Sequence, residues 1–302
     1  MKTQVNTLKS VLILLVLLTA SILETTAQST DLARVEYTYF PQSSSDNSFR
    51  RFKSFVNFPI KVGTESYLVP GVEYENINFK FEDPTPFLKN NELDRYQSFT
   101  LNLGYTFKMS TDWRFAASVG GMLASNFELG EVVNDDFLFT GSVFFIKDQT
   151  GEGEAGKPWR LIAGLHYSTT SGFPFPLPIL NYYREFAPNW SYSLGVPKSN
   201  LKYSFNPKNH LQLFATLDGF YANLQKNREI PTSGDLAENI SMTIVLAGIG
   251  YEYNFTEHLV YYIYAGHTLM NDIRLRDDNK DDVYIINDVN TFYGRSGLKF
   301  KI

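Results

Sequence analysis

The sequence contains no cysteine among its 302 residues. Disulfide frameworks, Cys-ligated zinc, iron–sulfur clusters, thiol nucleophiles and a lipidated N-terminal cysteine are therefore excluded. Positive charge is not in excess either, because 27 Lys and Arg stand against 32 Asp and Glu, a formal net charge of −5. No broad basic face for nucleic acid is implied. Long apolar runs are also missing. The best one after the N-terminal segment, Ile240 to Tyr251, is 12 residues long and holds Ser241, Thr243, Gly248 and Gly250. A helix needs about 20 apolar residues to cross a bilayer. There is no phosphate-binding glycine loop with a lysine and no His-Glu-x-x-His pair, and no cofactor is implied.

What is present is a chain 43% hydrophobic and 16% aromatic, too apolar for disorder. Its start reads as a secretory leader. Lys2 and Lys9 give a positive region, Val11 to Leu18 an apolar one, and Thr25-Thr26-Ala27 a small-residue cleavage site. Even stretched from Val11 to Leu23 the apolar run is 13 residues, too short to anchor. Residues 1–27 are thus expected to be removed and 28–302 to form the mature, exported domain.

In the mature part the 3.6-residue helical period is absent and a period of two recurs. Phe99, Leu101, Leu103, Tyr105, Phe107 and Met109 alternate with Thr100, Asn102, Gly104, Thr106 and Lys108. The same pattern marks about fourteen strands: 33–41, 51–62, 66–81, 95–109, 113–127, 137–146, 159–171, 178–186, 190–196, 199–205, 210–225, 239–254, 257–273 and 284–302. Twelve is the alternative if the short pair around Val196-Pro197 counts as one strand or an infolded hairpin. The pattern slips near Glu75 to Ile77, which predicts a bulge, and Glu257 to Met270 is apolar on both faces.

Tight connections such as Gly63-Thr64-Glu65, Ser110-Thr111-Asp112 and Asn206 to Asn209 alternate with longer polar ones such as 82–94 and 226–238. Short periplasmic turns and longer external loops are the arrangement of outer-membrane barrels. Aromatics beside the turns (Tyr105, Phe107, Trp113, Phe115, Trp190, Tyr192, Tyr251, Tyr253, Tyr261, Tyr262 and Tyr264) predict an interfacial girdle. The sequence therefore predicts an all-β, antiparallel up-and-down transmembrane barrel of the Gram-negative envelope. A soluble sandwich would carry charge along its outer face, whereas here charge gathers in loops. The closing Arg295 to Ile302 resembles the last-strand signal read by the barrel-assembly machinery, with Ile302 where Phe is usual. That machinery and the outer-membrane bilayer are the expected partners.

Leu32 to Tyr37, Phe173 to Pro178, and Leu194-Gly195-Val196-Pro197 with Leu201-Lys202-Tyr203 resemble a family of uncharacterised bacterial outer-membrane β-barrels known as a domain of unknown function. The resemblance spans nearly the whole mature chain and implies fold and location, with no activity.

Candidate functional residues follow from the alternation. Inward-facing polar positions include Arg34, Glu36, Lys53, Asn102, Lys108, Arg114, Arg160, Lys202, His210, Asp218, Glu252, Lys299 and Lys301. They suit a small-solute pore or ligand-binding lumen, or else internal ion pairs that plug a structural or surface-interaction barrel. His166-Tyr167-Ser168 places a base and a hydroxyl on one face and resembles the His-x-Ser of lipid A deacylase. The alternation points both inward, away from acyl chains, so a lipid-hydrolysing enzyme is disfavoured. Asp277, Asn279 and Asp281 offer alternating oxygen ligands, but the EF-hand glycine and terminal glutamate are missing. Finally, Phe173, Phe175 and Leu177 lie in a connection whose prolines 174, 176 and 178 cannot donate to a ladder. They are expected to pack into the barrel mouth or the outer leaflet and narrow the opening.

Overall fold

The computed structural model describes residues 31–42, 47–80, 93–150, 157–169, 175–231 and 233–301. The leader expected over 1–27, Phe173 of the connection expected to narrow the mouth, and the terminal Ile302 lie outside them. The chain forms β1 (Asp31–Pro41), β2 (Ser48–Asn57), β3 (Ile60–Lys61), β4 (Ser66–Lys80), β5 (Arg95–Lys108), β6 (Trp113–Ser125), β7 (Phe137–Gln149) and β8 (Trp159–Ser168). There follow β9 (Leu177–Ala187), β10 (Trp190–Gly195), β11 (Lys198–Asn206), β12 (Asn209–Glu229), β13 (Leu236–Asn254), β14 (Leu259–Arg276), β15 (Asp282–Asn287) and β16 (Phe292–Lys301).

Neighbouring strands pair antiparallel around a full circle, and β1 closes on β16 with Arg34 opposite Lys299. Two segments are not separate staves. β3 continues β2 beyond Pro59, which has no N–H to give the ladder, and β15 pairs only with the end of β14. The barrel thus has 14 staves. β10 and β11 are a true hairpin, pairing Trp190 with Tyr203 through Ser193 with Asn200, which settles the count above twelve. Gly195 makes that hairpin possible: its φ is +150°, and a Cβ there would stand 2.0 Å from the Leu180 carbonyl oxygen.

The expected bulge at Glu75 to Ile77 does not form. β4 keeps unbroken register with both β2 and β5. The slip in pattern has a different cause: the inward positions change from charged Glu73 and Glu75 to apolar Ile77 and Phe79 because the lumen itself turns apolar there. One irregularity that does form is on β14, where Val245 faces Met270 and Leu246 faces Thr268, leaving Leu269 extra and exposed.

Large apolar side chains cover the outside of the barrel, among them Leu101 (57% exposed), Val119 (64%) and Leu213 (55%). Such a continuous apolar outer surface is stable in hydrocarbon and not in water. Near the tight turns, outward aromatics touch from strand to strand: Phe107, Phe115 and Phe145 stand at 5.4 Å spacings, and Trp190 and Tyr203 at 4.8 Å. Tyr262 and Tyr264 do not belong to this girdle. Both point inward and are buried, because the two-residue period puts them on the face of Val260.

Inside, an apolar cluster fills the loop end of the lumen. Phe220 of β12 sits 5.8 Å from Phe79, 6.0 Å from Tyr96 and 6.1 Å from Phe49, ring centre to ring centre. Phe40, Leu224 and Ile230 are among its other members. The long β12–β13 hairpin leans across the mouth to reach these partners, so that Asn223 bridges in parallel to Ser125 of β6.

Candidate functional site in the lumen

Below the apolar cluster the lumen carries charge. Arg51 grips Asp218 with both guanidinium nitrogens, Nη1 to Oδ1 at 2.8 Å and Nη2 to Oδ2 at 2.6 Å. Arg295 donates to the same carboxylate and lies 3.7 Å from Glu36, and Arg51 lies 3.4 Å from Glu75. Strands β1, β2, β4, β12 and β16 are thereby joined across the barrel. Each of these charges is almost fully buried, so pairing is obligatory.

Further toward the turns a second network centres on Glu252. Its Oε2 accepts from Lys202 at 2.7 Å, and its Oε1 accepts from Lys299 at 2.8 Å and from the Tyr264 hydroxyl at 2.7 Å. The Tyr262 hydroxyl donates to Glu36 at 2.6 Å. Two glycines make room for these tyrosines: a Cβ on Gly250 would come within 2.5 Å of the Tyr264 ring, and one on Gly297 within 2.6 Å of the Tyr262 hydroxyl.

Beside the two networks, and lined by members of both, lies a cavity of about 320 Å³. Arg34, Arg160, Lys198, Lys202, Arg295 and Lys299 contribute its cations. Asp31, Glu36 and Glu73 are its carboxylates, and Phe214, Tyr262 and Tyr264 its aromatic wall. Exposure rises toward the turns, from 7% at the Arg295 side chain to 17% at Lys299 and 30% at Lys202. Water therefore reaches the cavity from the turn end.

The residues singled out in the sequence are spread over several places. Arg34, Glu36, Arg160 and Lys202 line the cavity, and Asp218 joins the buried network above it. His210 lies lower, its Nδ1 2.8 Å from Ser204 Oγ and its Nε2 3.0 Å from Asn254. Lys108 and Arg114 pair with Glu65 at the turn rim, at 3.7 and 3.8 Å. Asn102 sits over Gly120 in the wall, between β5 and β6.

His166 and Ser168 are both buried, and His166 Nδ1 stands 2.7 Å from the Ser142 hydroxyl rather than from Ser168. Phe175 is 47% exposed and Leu177 is buried opposite His166 at the start of β9. The apolar packing among the described residues at that end is the cluster around Phe220. Asp277 closes a turn on itself, its Oδ1 accepting the Asp281 N–H at 2.8 Å. Among the described residues no group of three or more His, Asp or Glu is placed to hold a metal ion.

The alternation alone did not single out Lys198, Arg295, Tyr262 or Tyr264. Lys198 shares parity with Lys202, and Arg295 with Lys299, so extending the inward count along β11 and β16 finds both. The tyrosines lay in the stretch that is apolar on both faces, where parity carries no contrast.

A closed sheet, an apolar exterior and a polar lumen define a transmembrane β-barrel. Residues 24–301 match the family described as a domain of unknown function, DUF6268, and the chain belongs to it. No curated protein matches the sequence. Similar solved structures include the NanC porin, at 10% identity over 89% of this chain and 100% of that one, with a TM-score of 0.38. LpxR from Salmonella typhimurium aligns at 7% identity over 89% and 100%, with a TM-score of 0.38. Outer membrane phospholipase A from Escherichia coli aligns at 10% identity over 90% and 92%, with a TM-score of 0.39.

Proposed function

We propose that this protein is an outer-membrane barrel whose lumen is a solute-binding vestibule, reached from the periplasm through the turn end and closed toward the outside. One observation carries the reading: a charge-lined cavity of about 320 Å³ abuts an apolar cluster that continues to the loop end of the lumen. Displacing the β12–β13 hairpin would convert the vestibule into a pore. The leader over 1–27 and delivery through the barrel-assembly machinery belong to the same proposal.

Thiol labelling tests it, and the absence of native cysteine makes single replacements clean. In intact cells a PEG-maleimide too large for porins labels Asp278→Cys, on a loop, and leaves Lys208→Cys, in a turn, unmodified. A small sulfonated maleimide reaches Lys202→Cys once the turn face is opened by lysis. Labelling of Lys208→Cys from outside, or recovery of the protein in the soluble fraction, rejects the reading.

A second reading, a purely structural barrel, draws on the same buried ion pairs, which brace the wall whether or not a solute enters. It predicts that Lys202→Cys stays unreactive in folded protein.

A further inference from the structure

The cavity has a charge balance that the rest of the chain lacks. The whole sequence is net negative at −5, yet six cations and three carboxylates line this wall. Glu252 and Asp218 behind it offset this excess only in part, because each carboxylate is shared between two cations, Lys202 and Lys299 for Glu252 and Arg295 and Arg51 for Asp218.

Two of the cations are incompletely matched. Lys198 Nζ has no hydrogen bond or ion pair among the described residues. It lies 5.2 Å from the Phe214 ring centre and 4.7 Å from that of Tyr264. Aromatic faces attract an ammonium and fix its place, but they satisfy none of its three donors. Arg160 is the other: its Nε is buried without a partner, and its Nη1 stands 4.0 Å from Asp148. Asn181, Ser193 and Asn200 supply hydroxyl and amide groups on the intervening wall.

A half-buried positive group with no acceptor gains most from a negative oxygen ligand. Neutral hydrogen-bonding side chains around it suit a hydroxylated body. A cavity of about 320 Å³ falls at the small end of the range for small-molecule sites and suits one sugar-sized molecule. We infer that the vestibule binds a small hydroxylated oxyanion, a carboxylate or phosphate ester of monosaccharide size, with its charged group on Lys198. This rests on the vestibule reading above and narrows its solute.

The test is calorimetric titration of the full refolded barrel with glucuronate, glucose 6-phosphate and glucose, which separates carboxylate from phosphate and both from the neutral sugar. At least one acid should bind, more tightly than glucose by about tenfold or more, the scale of one charge-assisted contact. Lys198→Met, which keeps the apolar stem, should lose that margin, while Lys198→Arg keeps most of it and Lys208→Met, in a turn, changes nothing. If Lys198→Met does not reach the folded band on a heat-modifiability gel, the salt dependence of the wild type decides. Acid binding that weakens with salt while glucose binding does not supports the inference, and salt-independent acid binding overturns it. Glucose binding as tightly as the acids overturns the anion assignment and leaves the vestibule standing. No binding of any sugar to folded wild type overturns both.

Discussion

Arg51 and Asp218 lie 167 residues apart and meet across the lumen in a two-bond contact at 2.8 and 2.6 Å. Arg51 comes from β2 and Asp218 from β12, so the pair ties opposite walls together. Asp218→Asn leaves Arg51 and Arg295 facing each other without their shared carboxylate. The expected cost is about 3–5 kcal/mol, as for removal of one partner of a buried pair. Urea titration in lipid vesicles reads it, and the double change Arg51→Met with Asp218→Leu should cost less than the sum of the two single changes.

Phe220 is the hub of the apolar cluster, in ring contact with Phe49, Phe79 and Tyr96. Phe220→Ala should destabilise the barrel by about 3–5 kcal/mol through the cavity it leaves. Phe205→Ala, on the outer face near a turn, should cost less in the same vesicle assay, because it opens no internal void.

The two faces of β5 should respond unequally to charge. Leu103 is exposed to the outside, and Leu103→Arg should cost about 2–4 kcal/mol near the membrane midplane. Asn102→Arg on the inward face should cost less, because its charge can reach lumen water. Equal costs in reversible folding would contradict the facing of this strand.

The hairpin is latched at its tip by Glu128, which contacts Arg228 at 2.5 Å and Lys226 at 3.1 Å. Burial pushes this carboxyl up, but hydrogen bonds and charge from Arg228 and Lys226 outweigh it and hold the group below its ordinary value of 4.5. A lowered carboxylate stabilises the closed form above its ordinary pKa, and that contribution is lost as pH falls through the lowered value. Spin labels on Val132→Cys and Leu236→Cys should therefore keep one distance from neutral pH to about 5 and broaden only below about 4.5. Glu128→Gln should show the broadened distribution already at neutral pH, with a loss of about 1 kcal/mol for a partly buried pair in a surface loop.

The wall of this barrel was legible in the sequence because lipid outside and water inside impose opposite demands on successive residues. Phe99 to Met109 states that contrast residue by residue, and β5 follows it from Arg95 to Lys108. The contrast fails where the inside is not wet. Ile77 and Phe79 are inward and apolar, so β4 reads as a phase slip, and the inward Tyr262 shows a ring rather than a charge, so β14 reads as apolar on both faces. Cross-barrel contacts were out of reach for another reason: nothing local records that Phe220 will meet Phe49, or Arg51 meet Asp218. The cation excess was only partly visible. Lys202 and Lys299 could be placed inside by parity, but that Lys198 would lie between two rings depends on how β11 and β14 curve toward each other.

The most direct test is planar-bilayer recording of the wild type and Phe220→Ala side by side under a salt gradient. The proposal of a closed, cation-rich vestibule predicts a wild type without steady conductance and a variant that opens with anion preference. A wild type that conducts steadily, or a variant whose current prefers cations, would contradict it.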